Sequence, residues 1–471
     1  MTISGNRALA AHLVEAGLGP RKLAREINRI FGAGTLAETA PYHWRDSGRV
    51  PRAPLPRLAA YVISRRIGRV VTVQDLWPGH SDPLDGTLVL PASAGLDGPW
   101  SFADTMQVAE DWLLGGLVDR RLFLSVSGAA LAGAVRVYLS AQAGPASIGV
   151  PTASADDPLV DQIEASIPAL QALDDEHGGA AGLTYVGAQV RATLLLLRDG
   201  GHTDRTTRRL LVVLADLAQL AGWKSHDAAQ PGLAQRYYFT GLRAAHDAGY
   251  RSMEAHILAD LAFQSASAGD SSDGVMLGEA ARRTAEHSTG NVQASVQSRL
   301  AYAYAAAGRV EDCERTWAAA HAQLASGRRE GEPDWMYYLT PNHLDCQAGY
   351  AMIRAGRHLL ASGSAARGRA TLRKGEALLR TGAHARPVDA PNQRRALYEG
   401  AWLALGYTAH RKLDEACAVT RMALPRLDAV RSPRSTALLR ELAGELRKRK
   451  RNQTVSELLP DLDNALARHG G

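Results

Sequence analysis

The chain has 471 residues, of which 46% are hydrophobic and 22% charged, with a formal net charge of +6. That length exceeds one compact core and implies roughly two to four domains, and the balance is that of a folded chain, not a disordered one. Cys313, Cys346 and Cys417 are odd in number and far apart, which excludes a disulfide framework or a thiolate metal cluster and points to free thiols in a reducing, cytoplasmic setting.

The opening residues MTISGNRALAAHLVEAG carry Arg7, His12 and Glu15 where a secretory leader has to be apolar, so none is expected. The most apolar run, 122–139, contains Arg136 and reads as a buried helix instead of a bilayer span. Alanine, leucine and arginine dominate and favour helix over strand, since they lose least entropy on helix formation. An all-α chain without a membrane partner is therefore expected. Its charge is unevenly placed. Residues 1–80 hold twelve Arg/Lys against five Asp/Glu, a local +7, which leaves the remainder at −1. Such an imbalance suits a small nucleic-acid reader on a near-neutral body.

Three helices are expected in residues 1–80. The first follows Ala8, Leu9, Ala11, His12 and Glu15 and stops at Gly17. The second opens at Gly19-Pro20, where proline suits a first helical turn, and its Leu23, Ala24, Ile27, Ile30 and Phe31 form one apolar stripe. A short third helix runs over about 37–47. Ala37, Ala40, Pro41 and Trp44 share one side of it, with Trp44 large enough to fill the groove between the first two. Thr39, Tyr42, His43 and Asp46 share the other, all able to hydrogen-bond. A recognition helix reads base edges in the major groove from its first turns, so Thr39, Tyr42 and His43 are the candidate base contacts. Arg45, Arg49, Arg52 and Lys22 are the candidate phosphate contacts. Arg21 and Lys22 also stand at the start of the second helix, where the helix dipole favours an anion.

Leu23-Ala24-Arg25, Tyr42-His43-Trp44-Arg45, Gly48-Arg49-Val50-Pro51, Leu58-Ala59 and Asp75-Leu76-Trp77 together resemble the phage-repressor-like (Xre-type) helix-turn-helix domain, with a longer turn from Phe31 to Glu38. That resemblance implies a DNA-binding domain over 1–80.

Pro- and Gly-rich sequence from Pro78 to Pro99 marks a linker over 81–100, and a second loop is expected over 144–158. Residues 101–205 read as a helical connecting region. From 206 to 431 the chain repeats helix, short turn, helix. One hairpin runs from Leu300 to Leu324 with its turn at Gly308, another turns at Gly269, and further turns are expected near Gly356 and at His410-Arg411. An earlier hairpin joins 206–230 to LAQRYYFTGLRAAHDAG. These hairpins resemble tetratricopeptide repeats, with longer and irregular spacing. Hairpins of this kind bury their apolar faces by stacking into a superhelix lined by the first helix of each pair. Residues 432–471 are expected to cap the array, starting at Ser432-Pro433, with the run Arg447–Arg451 as a solvated helix end.

The arrangement as a whole resembles actinobacterial helix-turn-helix/tetratricopeptide regulators of sporulation and secondary metabolism. NRALAAHLVEAG, ETAPYHWRDSGRVPR, LADLAQLAGW, LAQRYYFTGLRAAHDAG and VRSPR carry the likeness. In broader outline it also resembles the peptide-sensing regulators of Gram-positive bacteria, which join the same two modules.

Asp174-Asp175-Glu176-His177-Gly178-Gly179 is the densest carboxylate and histidine cluster. With no second His or Cys group at ligand spacing, it reads as a helix end followed by a turn, and no metal site is expected. GxxxxGK[ST], HExxH, GxSxG and paired CxxC motifs are absent, so no enzyme and no cofactor are expected. Aromatic and polar residues gather on the first helices. Asn342, His343, Asn392, Arg395 and Tyr398 are the candidate ligand or partner contacts, since Asn and Arg bind a ligand's polar groups while aromatics receive its side chains. The sequence thus predicts a homodimeric regulator that reads a two-fold double-stranded DNA operator, its array dimerising and sensing a peptide, small molecule or protein. The alternative is an interaction scaffold that does not bind DNA.

Overall fold

The computed structural model describes residues 5–31, 35–52, 55–67, 69, 71–80, 100–114, 126–141, 158–326 and 330–469. The expected linker over 81–99, most of the second expected loop, and residues 32–34 of the long turn lie outside them. All regular structure among the described residues is helical, as the composition predicts. No described helix is long and apolar enough to cross a membrane. The chain divides into two compact units, residues 1–97 with 116–126 and residues 98–115 with 127–471.

The first unit contains α1 (Arg7–Glu15), α2 (Pro20–Phe31), α3 (Ala40–Asp46), α4 (Leu55–Ile67) and α5 (Val73–Leu76). Asn6 caps α1 by accepting from the Leu9 amide at 2.9 Å, and its side-chain amide donates to the Leu76 carbonyl at 2.8 Å, tying the first helix to the last. Leu9, Leu13, Leu23, Ile27, Trp44, Leu58, Ile63 and Leu76 form its core. Trp44 sits edge-on to Trp77 at 6.1 Å. Asn28 clasps the chain ahead of α3: its side chain donates to and accepts from Leu36, both at 2.8 Å. That bidentate clasp anchors the far end of the long turn. The third helix is shorter than the expected 37–47, with Thr39 at its N-cap, Pro41 in its first turn and Ser47 at its C-cap.

The second unit begins with α6 (Phe102–Ala109) and α7 (Gly128–Ser140), which pack on the outer helices α11 and α13 of the array. The apolar run expected to form a buried helix supplies α7, with Leu131, Ala134, Val135 and Tyr138 in its core. Then come α8 (Pro158–His177) and α9 (Leu183–Asp199), followed by six hairpins. These are α10/α11 (Asp204–Asp227, Pro231–Ala248), α12/α13 (Arg251–Ala268, Ser271–Thr284) and α14/α15 (Gly290–Ala306, Val310–Ala325). After them stand α16/α17 (Pro341–Ala361, Ala365–Leu379), α18/α19 (Gln393–Ala409, Leu413–Ala423) and α20/α21 (Pro433–Arg447, Gln453–Arg468).

One expected turn is misplaced. Gly356 lies inside α16, where an added Cβ would stand 2.8 Å from Leu372 Cγ, so it lets α16 and α17 approach closely. The turn comes instead at Gly363, whose φ of +86° is in the left-handed region. The Gly269 and Gly308 turns are where the sequence puts them. Ala229 and Arg411 make left-handed turns without glycine, at φ 57° and 64°, which blurs the repeat in the sequence.

The array closes on itself. Each first helix packs on the next from α10 to α20, and α20 packs back on α10. Helix α8 lies against both α10 and α18. Its end is stitched to the chain before α20, the Arg431 amide donating to the His177 carbonyl at 2.8 Å and the Ala180 amide to the Arg431 carbonyl at 3.2 Å. Residues 158–177 and 433–447 therefore belong to the wall of the array, where the sequence suggested a connecting region and a cap.

Candidate functional site

Two places gather chemistry. The first is the outer side of α3. Trp44 and Pro41 hold the helix down while Thr39, Tyr42, His43 and Asp46 are exposed, Tyr42 at 39%. Lys22, Arg49 and Arg52 are exposed beside it and have no ion-pair partner among the described residues. Arg45 is half-buried over the Tyr42 ring at 5.4 Å and paired with Asp46 at 2.6 Å. Arg21, placed by the sequence at an anion-ready helix start, is instead paired with Glu38 at 2.6 Å, and Arg25 shares the same carboxylate at 3.1 Å. Such exposed pairs contribute little and exchange readily for another anion.

The second place is a cavity of about 310 Å³ inside the second unit, walled by α8, the first helices of all six hairpins and the turn at Asp334–Tyr338. Three guanidiniums surround one indole there. Arg299, Arg434 and Arg394 stand 4.7, 5.3 and 5.6 Å from the Trp223 ring centre. Each is held by a carboxylate. Arg299 meets Asp260 at 3.1 Å, Arg434 meets Asp227 at 3.1 Å, and Arg394 meets Asp175 at 3.1 Å and Asp174 at 3.3 Å. Lys224, wholly buried, also reaches Asp174 at 3.2 Å.

These ions are held in place by hydrogen bonds as well as by charge. Burial works against the Asp227 charge, yet Arg434, Arg394, the Gly179 amide and the Ser432 hydroxyl outweigh it and hold the carboxyl below its ordinary range. At Asp174 burial wins and the carboxyl is pushed up despite its two cations. His226 is driven down to about 3, first by burial and then by Arg434, and His343 is lowered in the same way by burial and by Arg395. His256 is lowered by burial and stacks on Trp335 at 4.5 Å. The imidazoles stay neutral, which leaves the arginines and their carboxylate partners as the charged groups of the cavity.

Of the expected ligand contacts, His343, Asn392, Arg395 and Tyr398 line this cavity. Asn342 does not. It accepts from Arg395 at 3.0 Å and donates to the Thr381 carbonyl at 3.2 Å, and so orients that arginine against its partner Glu399. Arg299, Arg394, Arg434 and Gln347 were missed. The available signal was Arg299 as the one charged residue of α14, together with Arg434 in the VRSPR segment. The Asp174–Gly179 cluster is the expected helix end and turn, with its first two carboxylates turned to use as counter-ions. Among the described residues no group of three or more His, Cys, Asp or Glu is placed to hold a metal ion. Burial pushes the Cys313 and Cys346 thiols up to about 12, which leaves them unreactive.

Fold and sites together define an all-helical protein of two units, one small with an exposed polar helix and one a closed ring of hairpins around an arginine-rich cavity. The family model of the SP15 N-terminal domain matches residues 9–77, from within α1 to the residue after α5. No curated protein and no solved structure matches the chain at a significant level.

Proposed function

We propose that the chain is a DNA-binding transcription regulator whose first unit reads an operator and whose ring of hairpins dimerises and senses a ligand. The supporting observation is the outer side of α3. Thr39 at the N-cap and Tyr42 and His43 on the helix face solvent while Trp44 pins it, and Lys22, Arg49 and Arg52 are exposed cations without an ion-pair partner among the described residues. Polar groups at the start of a short helix approach base edges, and the flanking cations take phosphate oxygens and fix the register. Arg45 joins them by exchanging Asp46 for phosphate. A two-fold dimer presents two such helices to half-sites one helical turn apart. By the resemblance noted above, the genes under its control belong to development or secondary metabolism.

Recovery of DNA crosslinked to the tagged chain in its source organism tests this. A small set of promoters sharing a two-fold motif is expected. Recovery of no enriched DNA would leave a scaffold of helical hairpins in place of a regulator.

A further inference from the structure

The sensing half of that reading leaves the ligand unspecified, and the cavity is more selective than an open groove. With α8 against α10 and α18 and stitched to Arg431, the space is limited to about 310 Å³, at the small end of the range for ligand pockets. An extended peptide advances about 3.3 Å per residue and needs two open ends. A compact molecule does not.

The charges select among compact molecules. Four of the five arginines lining the cavity have a carboxylate partner. Arg386, exposed at the rim, has none among the described residues, so one positive charge is uncompensated. Within, Arg299 Nε and Arg434 Nη1 are buried donors without a hydrogen-bond partner, and Gln347 Oε1 is a buried acceptor without one. Buried polar groups are ordinarily hydrogen-bonded, so a molecule entering here meets two donors and one acceptor that no protein group satisfies. Aromatic rings supply the rest of the wall: Trp335 is stacked on His256, with Tyr338 6.5 Å from the same imidazole, and Tyr350 lines the cavity as well.

From these features we infer that the cavity binds a small planar monocarboxylate bearing a hydroxyl or amine, its carboxylate among Arg299, Arg394 and Arg434 and its polar substituent donating to Gln347. The ring lies against the Trp335 and Tyr338 side. One negative charge balances the excess, and a carboxylate accepts from several guanidinium nitrogens at once.

The inference rests on the sensing part of the proposed function and is separable from DNA binding. Tryptophan fluorescence and calorimetry on the full chain, without DNA, would follow 4-hydroxybenzoate and 6-hydroxy-2-naphthoate against their carboxamides. At least one acid should bind below millimolar concentration and its amide about tenfold or more weaker, a difference that falls with salt. Arg434→Met should cost the acid about tenfold and leave the amide unchanged. Should that variant fail to fold by circular dichroism, Gln347→Leu, which keeps every ion pair, should weaken 4-hydroxybenzoate and leave benzoate unchanged. Acid and amide binding alike, or neither acid binding at millimolar concentration, would overturn the assignment. A chain that takes the acid but ignores DNA would refute only the regulator reading.

Discussion

Arg434 of α20 donates its Nε to Asp227 at the end of α10 at 3.1 Å, and the same guanidinium lies 4.3 Å from the Tyr398 ring of α18. The pair spans 207 residues of sequence and locks the last hairpin of the array to the first. Asp227 also accepts from the Gly179 amide and the Ser432 hydroxyl, both at 2.9 Å. One carboxylate thus gathers the end of α8, the start of α20 and the arginine that faces the cavity. Replacing it with alanine strands three donors and a buried charge, a loss of about 3–5 kcal/mol. Chemical denaturation of Asp227→Ala should show that loss, with faster amide exchange in α8 and α20. A change under about 1 kcal/mol would mean the ring is held elsewhere.

Gly178 makes the same closure from the other side. Its φ is +82°, and a Cβ there would stand 2.8 Å from the Arg431 carbonyl oxygen that receives the Ala180 amide. Gly178→Ala should destabilise the second unit by about 1–3 kcal/mol. Hydrogen exchange at Arg431 should accelerate, while amides of α1 to α5 keep wild-type protection.

Asp216 supplies a pH dependence. Its Oδ1 is buried without a hydrogen-bond partner, and burial, with Glu164 adding to it, raises the carboxyl from 3.8 to about 8. Between those values the folded chain keeps a proton that the unfolded chain has released, so stability falls as pH rises through the window, by at most about 1.4 kcal/mol per pH unit. Asp216→Asn removes this slope. Thermal melts of both chains should agree most closely near the bottom of the window and diverge towards its top, with the variant the more stable. Parallel curves would contradict the assignment.

In the first unit, Trp44 and Tyr42 separate folding from recognition. Trp44 is buried against Trp77, and its truncation to alanine should cost about 3–5 kcal/mol and abolish DNA binding with the fold. Tyr42 is exposed, so Tyr42→Phe should change the melting temperature little while weakening binding to the operator. Denaturation and operator titration of both variants check the contrast.

The helical class, the hairpin theme and the polar side of α3 were legible in the sequence because each is local. Alanine-rich composition, glycine turns and the spacing of Trp44 against Thr39, Tyr42 and His43 are read within a few residues. Helices α4 and α5 were represented only by the short matches at Leu58-Ala59 and Asp75-Leu76-Trp77. Of the cavity, His343, Asn392, Arg395 and Tyr398 were found because polar and aromatic residues stand out on inner helices. The Arg434–Asp227 and Arg394–Asp174 contacts join distant segments, and no local pattern announces that α8 and α20 meet. Gly356 misled because a glycine allowing close helix approach looks, in sequence, like one that makes a turn.

The account depends most on the first unit engaging duplex DNA through α3. Fluorescence anisotropy of the full chain on operator duplexes, titrated over a salt series for wild type and Arg49→Ala/Arg52→Ala, measures this directly. The account predicts a steep fall of affinity with salt, weaker binding by the double variant, and a salt slope smaller by about two for the two lost phosphate contacts. Affinity independent of salt, or unchanged in the double variant, would contradict it.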